Sequence, residues 1–158
     1  MRLEYFQLID RIVDLKLADR TISAEAVVPT QSTIFEGHFP GYPLMPGVLL
    51  IEAMAQTAGW LIVALNNFDR MPFLAAVKDA KLRSFVKPGE RLTVEAHVEH
   101  EGSGYSVAKA TIKSDDSKLV CDAALTLRIL DFPSAEVAKQ MRELATRIGL
   151  SLEAPADG

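Results

Sequence analysis

The sequence predicts an α+β fold in which one antiparallel sheet of five or six strands packs against a single long apolar helix, with an amphipathic helix following. Three patterns carry the prediction. Leu92, Val94, Ala96 and Val98 alternate with Thr93, Glu95, His97 and Glu99, and Leu119, Cys121, Ala123, Leu125, Leu127 and Ile129 share one face of the run from Lys118 to Leu130. Alternation with period two marks a strand with one buried face. Between Val48 and Leu65, by contrast, the only polar side chains are Glu52, Gln56 and Thr57. A run of that length is a helix, and one that is apolar on nearly every side belongs in a core. After Pro133, the residues Val137, Met141, Leu144, Ala145 and Ile148 recur at helical spacing.

In chain order, Val13, Leu15 and Leu17 alternate with Ile12, Asp14 and Lys16; past a turn at Asp19-Arg20, Ile22, Ala24, Ala26 and Val28 share one side of a second strand. The apolar helix comes next. Phe73 to Phe85 reads as a strand that Lys78, Lys81 and Arg83 make irregular, ending at Pro88-Gly89. Strands over Leu92–Glu99, Tyr105–Lys113 and Lys118–Leu130 are separated by turns at Glu101-Gly102-Ser103-Gly104 and Asp115-Asp116-Ser117. Ser134 can cap a final helix over Ala135–Ile148 and Gly149 can stop it. Its apolar face packs on its own domain or docks a partner. Residues 1–132 therefore form one domain and 133–158 a helix and tail, of which Ser151–Gly158 is expected to fray.

The chain has 158 residues, enough for one domain with a real core. With 17 Lys+Arg against 21 Asp+Glu the net charge is −4, which argues against nucleic-acid binding. The single cysteine, Cys121, has no partner for an internal disulfide, and no Cys/His set suggests a metal. No cofactor is expected. The N-terminus lacks the charged, apolar and small-residue order of a signal peptide, so a cytoplasmic location is expected. Val48–Leu65 would span about 27 Å as a helix against a bilayer core of roughly 30 Å. Glu52, Gln56 and Gly59 favour a buried core helix over a membrane span.

The residues that carry chemistry lie in Glu36-Gly37-His38-Phe39-Pro40-Gly41-Tyr42-Pro43-Leu44-Met45-Pro46-Gly47, which leads directly into the apolar helix. Three prolines and three glycines restrict the path of this loop, as suits a backbone that passes close to a substrate. His38 is a candidate base. Glu52, set in the apolar helix, is a candidate acid, because a buried carboxylate needs a partner or a task and burial raises its pKa. Singly, each has a structural alternative: a hydrogen-bonded loop histidine, or one arm of an ion pair. Gly47 stands where unpaired helical N–H groups favour an anionic oxygen. Gln56, one turn beyond Glu52 on the same face, either orients that carboxyl or simply packs.

This stretch resembles the signature of the β-hydroxyacyl-acyl carrier protein dehydratases of the FabZ/FabA type, which have the hot-dog fold, and the resemblance extends over residues 4–130. It implies that His38 is the catalytic base, that Glu52 is its acidic partner, and that the Gly47 N–H binds the thioester carbonyl. Glutamate at the acidic position is similar to the FabZ branch, which dehydrates without isomerising. The resemblance further implies an acyl carrier protein as partner, a homodimer or a trimer of dimers, and a site completed by residues of two subunits. Phe39, Phe73 and Phe85 are candidates to line the acyl tunnel. Arg70, Lys78, Lys81, Arg83, Lys87 and Arg91 face only Asp69, Asp79 and Glu90 within residues 69–91, so Lys81, Arg83 and Lys87 are candidates for docking the acidic carrier. The segment Glu4-Tyr5-Phe6-Gln7-Leu8-Ile9-Asp10-Arg11 departs from the Pro-His-Arg-Tyr-Pro type common in FabZ relatives, which leaves chain-length preference and pathway open. Two other functions share the fold: an acyl thioesterase, which would release free thiol, and a non-catalytic acyl-thioester-binding subunit.

Overall fold

The computed structural model describes residues 1–150. A single 3₁₀ turn over Leu3–Tyr5 precedes β1 (Arg11–Lys16), β2 (Thr21–Val27), a short α1 (Thr33–Gly37) and the long α2 (Gly47–Leu65). Four strands follow, β3 (Arg70–Leu82), β4 (Arg91–Gly102), β5 (Tyr105–Ser114) and β6 (Leu119–Asp131), and then α3 (Ala135–Arg147). All six strands form one sheet in the order β1-β2-β4-β5-β6-β3, with every neighbouring pair antiparallel.

The period-two strands bury the faces their sequences predict. Ile22, Ala24, Ala26 and Val28, then Leu92, Val94, Ala96 and Val98, then Cys121, Ala123, Leu125 and Leu127 are all buried. They meet α2, whose Ala53, Met54, Leu61, Ile62 and Val63 are sealed in the core. Each large side chain there contributes about 1.5–3 kcal/mol by leaving water. Among the described residues α2 is the one helix long and apolar enough to cross a membrane, and 61% of that apolar window is buried within this fold.

Three expectations need correction. In β1 a register shift between Ile12 and Asp14 turns the strand, so Ile12 is buried while Val13 and Leu17 are exposed. A bulge changes which residue faces inward, and simple alternation cannot show it. The strand expected over Phe73–Phe85 runs over Arg70–Leu82, and nearly all of it is exposed because it closes the open end of the sheet. The apolar helix is buried along most of its length as expected, but the carboxylate expected to be buried in it is only half-buried, and Val48 at the helix start is 71% exposed.

The C-terminal helix starts where Ser134 accepts a hydrogen bond from the Val137 N–H at 3.2 Å. It ends at Gly149, whose φ of +80° suits a residue without a side chain. Ala145 and Ile148 are buried, and the Ile12 N–H donates to the Ile148 carbonyl at 2.7 Å, so α3 packs on its own domain. The fraying expected for Ser151–Gly158 lies outside the described residues.

Candidate active site

His38 is positioned by the short helix before it. Ser32 caps α1 by accepting from the Ile34 N–H at 3.2 Å, and Glu4 reaches across to accept from the Ser32 hydroxyl at 2.7 Å and the Thr33 N–H at 3.1 Å. The Ser32 hydroxyl, with backbone N–H groups, holds the Glu4 carboxyl below its ordinary value. The His38 N–H closes the helix on the Ile34 carbonyl at 3.0 Å, and the Leu44 N–H returns to the His38 carbonyl at 2.9 Å. The imidazole Nδ1 lies 2.9 Å from the Leu44 carbonyl oxygen. A carbonyl only accepts, so in this contact Nδ1 bears the proton, and in the neutral ring it is Nε2 that carries the lone pair. A neutral imidazole held by one nitrogen presents the other as a base. Its ring stacks on Phe39 at 4.2 Å between centroids.

A cavity of about 350 Å³ opens beside this histidine, lined by Phe39, Gly47, Leu50, Leu82 and Phe85. Among the described residues no side chain caps the start of α2 at Pro46; the Leu49 and Leu50 N–H groups donate to the Pro46 carbonyl, and Gly47, at the helix start, lines this cavity. Gly47 is covered by the Leu82 side chain, whose Cδ1 occupies the space that a Cβ would need. A larger residue at this position would have to push the Leu82 side chain aside.

Glu52 opens onto a second cavity, of about 270 Å³. The Gln56 amide donates to the Glu52 carboxylate at 3.2 Å and to the Phe6 carbonyl at 2.9 Å, while its oxygen accepts from the Leu8 N–H at 3.1 Å. The amide therefore ties the carboxylate to the N-terminal segment. At about 100° per residue, Gly47 and Leu50 fall on the opposite side of α2 from Glu52, Gln56, Gly59 and Val63, which line the Glu52 cavity. Within one subunit the helix separates the histidine from the carboxylate. Among the described residues no group of three or more His, Cys, Asp or Glu could hold a metal.

The FabA-like domain family matches residues 2–124 of this sequence. The chain belongs to that family. A Fusobacterium nucleatum relative, the 3-hydroxyacyl-[acyl-carrier-protein] dehydratase FabZ, is 36% identical over 127 residues, covering 80% of this chain and 88% of its own. The Latilactobacillus sakei dehydratase of the same name is 38% identical over 123 residues, covering 77% and 86%. Solved structures share the architecture at lower identity. A Haemophilus influenzae thioesterase superposes with a TM-score of 0.57 at 20% identity, covering 78% of this chain and 80% of its own. A hypothetical thioesterase of Streptococcus pneumoniae, solved with coenzyme A, gives a TM-score of 0.60 at 16% identity, covering 78% and 88%. These establish the hot-dog fold alone, as their identity is too low to carry an activity.

Within this FabA-like domain the remaining candidates fall in different places. Phe39 and Phe85 line the His38 cavity with Gly47; Phe73 does not, and lies on β3 between Pro72 and Leu74, both of which line the Glu52 cavity. Arg83 lines the His38 cavity and pairs with Asp122 at 2.7 Å, and Arg70 and Arg91 pair with Asp131 and Glu25. Lys78, Lys81 and Lys87 form no ion pair among the described residues. That leaves three lysines of the segment without an ion pair, against Asp69, Asp79 and Glu90, which form none either among the described residues. Sequence reasoning did not single out Leu82, which covers Gly47, or Phe6 and Leu8, which hold Gln56. Leu8 is fully buried, and the apolar pair Leu8-Ile9 beside an otherwise exposed segment was the available signal.

Proposed function

We propose that this protein is a 3-hydroxyacyl-[acyl-carrier-protein] dehydratase of fatty acid biosynthesis whose site is assembled from two subunits. The observation that carries it is the pair of half-sites: a histidine with Nε2 free and Gly47 beside it, and a carboxylate steadied by Gln56, on opposite sides of one helix. In the reaction, His38 Nε2 removes the proton α to the thioester carbonyl. The charge that develops on the carbonyl oxygen is met by the Gly47 N–H at the start of α2. The C–O bond at the β carbon breaks as the protonated Glu52, or a water that it orients, supplies a proton, and the hydroxyl departs as water. The electron pair left by the α proton becomes the double bond of the trans-2-enoyl thioester.

Strand β3 supports the sharing of the site. It is an edge strand of thirteen residues with Phe73, Leu74, Val77 and Leu82 exposed, a surface that a lone subunit avoids leaving in water. Its Leu82 end borders the His38 cavity and its Met71–Leu74 end borders the Glu52 cavity. Pairing two copies of β3 antiparallel about a two-fold axis sets the Leu82 end of one beside the Arg70 end of the other. The histidine of each subunit then faces the carboxylate of its partner. Acyl carrier protein delivers the substrate, and Lys78, Lys81 and Lys87 supply the charge that draws it. A cytoplasmic location accords with such a role.

The test follows loss of enoyl absorbance on incubating the protein with crotonyl and longer 2-enoyl thioesters of CoA and of carrier protein. Hydration without release of thiol is expected. Thiol release without hydration would make the protein a thioesterase, and neither reaction on either carrier would make it a binding subunit.

A further inference from the structure

The cavity beside Glu52 is polar at one end only, where Glu52, Gln56 and Gln7 gather; from there it is walled by Gly59, Trp60 and Val63 of α2, by β3, and by Met141, Leu144 and Ile148 of α3. The α3 wall lies beyond residues 2–124, the part that matches the family. Met141, Leu144 and Ile148 recur at the i, i+3 and i+7 spacing of one helix face, and that face is turned to the cavity. The helix is anchored at both ends of this face. Arg142 donates to the Phe68 carbonyl at 3.3 Å with its guanidinium 5.2 Å above the Phe68 ring, and Ile148 receives the Ile12 N–H.

A cavity of about 270 Å³ walled this way is built for an apolar occupant. An engineered apolar cavity of roughly 150 Å³ already takes up benzene, so this one has room for several methylenes. Its polar mouth is the carboxylate that acts at the β carbon of the substrate. What continues into the cavity from that carbon is the acyl tail.

On the dehydratase function proposed above, we infer that α3 is the chain-length gauge of this enzyme: Met141 and Leu144 close the far wall of the acyl cavity and set how long a tail fits. A helix anchored at both ends holds that wall at one distance from Glu52. A single methylene in such a pocket changes discrimination by about tenfold or more.

The experiment compares kcat/KM on 2-enoyl pantetheine thioesters of increasing tail length for wild type, Met141→Ala, Met141→Phe and the outward control Glu143→Ala. Trp60 is the one tryptophan of the chain and lines this cavity, so its emission reads tail binding separately from turnover. Met141→Ala is expected to raise preference for long over short tails about tenfold, Met141→Phe to lower it by a similar factor, and Glu143→Ala to change nothing. Trp60 emission in Met141→Ala is expected to respond to longer saturated acyl pantetheines than in the wild type. If either Met141 variant unfolds, the milder Leu144→Val, judged by the same ratio, decides. Active variants whose length profiles stay fixed, or move together in one direction, would overturn the role of α3 while leaving the dehydratase intact. A wild type inactive at every length would overturn the dehydratase function and, with it, the gauge.

Discussion

Mixing two inactive variants tests the shared site most sharply. His38→Ala removes the base and Glu52→Gln the acid, and each homodimer alone is expected to lose about 10²-fold or more in hydration and dehydration. If each site takes its histidine from one subunit and its carboxylate from the other, a mixed dimer contains one site with both substitutions and one site with neither. Random re-pairing of equal amounts makes roughly half of the dimers mixed, with one of two sites intact, so about one quarter of wild-type activity returns. Were both groups to act within one subunit, every site in the mixture would carry a substitution and nothing would return. The assay is crotonyl-thioester hydration after dissociation in mild denaturant and dilution, with mixed dimers counted by differently tagged copies. Mixed dimers that form and stay inactive would refute the shared site.

Three further outcomes follow from the contacts described. Gln56→Met keeps the volume but leaves the buried Leu8 N–H without its acceptor, which costs about 1–3 kcal/mol and lowers Tm by a few degrees; because Glu52 also loses its donor, kcat should fall with KM unchanged, and a drop in Tm alone would leave Gln56 a packing residue. Lys81→Glu with Lys87→Glu should raise KM for carrier-linked substrate several-fold at low salt and leave pantetheine thioesters unaffected, and equal losses on both would place these lysines in the fold or the site instead. Burial pushes the Cys121 thiol from its ordinary value of 9.0 up to about 12. Below pH 9 both folded and unfolded chains keep the thiol proton, and between 9 and 12 only the unfolded chain loses it, so stability falls across that window; a Cys121→Ala variant should show less of this fall, and an identical pH dependence would assign the fall to other groups.

The strands facing the core were legible because a sheet with one wet side writes its burial directly into alternating residues, as in Ile22–Val28 and Leu92–Val98. The failures have the same physical origin. At Ile12–Asp14 a bulge added a step that alternation cannot register, and β3 mixes Phe73, Leu74 and Val77 with Lys78 and Lys81 in a strand that lies at the edge of the sheet and is mostly exposed. In β3, too, register shifts between Leu74 and Ala76 and between Lys78 and Lys81 break the alternation. Gln56 could be placed next to Glu52 by helical spacing, but its bonds to Phe6 and Leu8 join residues some fifty positions apart, and no local pattern encodes such a contact.

His38 and Glu52 illustrate the limit best. They stand fourteen positions apart, and their residue types announce acid and base chemistry, yet nothing in the spacing says that the two line different cavities. The separation comes from α2. Gly47 lies on the face that the Leu82 side chain of β3 covers. Five residues later the helix has turned by about 140°, which carries Glu52 to the side where Gly59 passes Pro72. One strand thus borders both cavities at its two ends, and in the dimer proposed above a two-fold axis through its middle would unite them. Placing a charge at Val77, near that middle, should therefore abolish activity and the dimer together while sparing the monomer fold; Val77→Glu that stays dimeric and active would move the interface elsewhere.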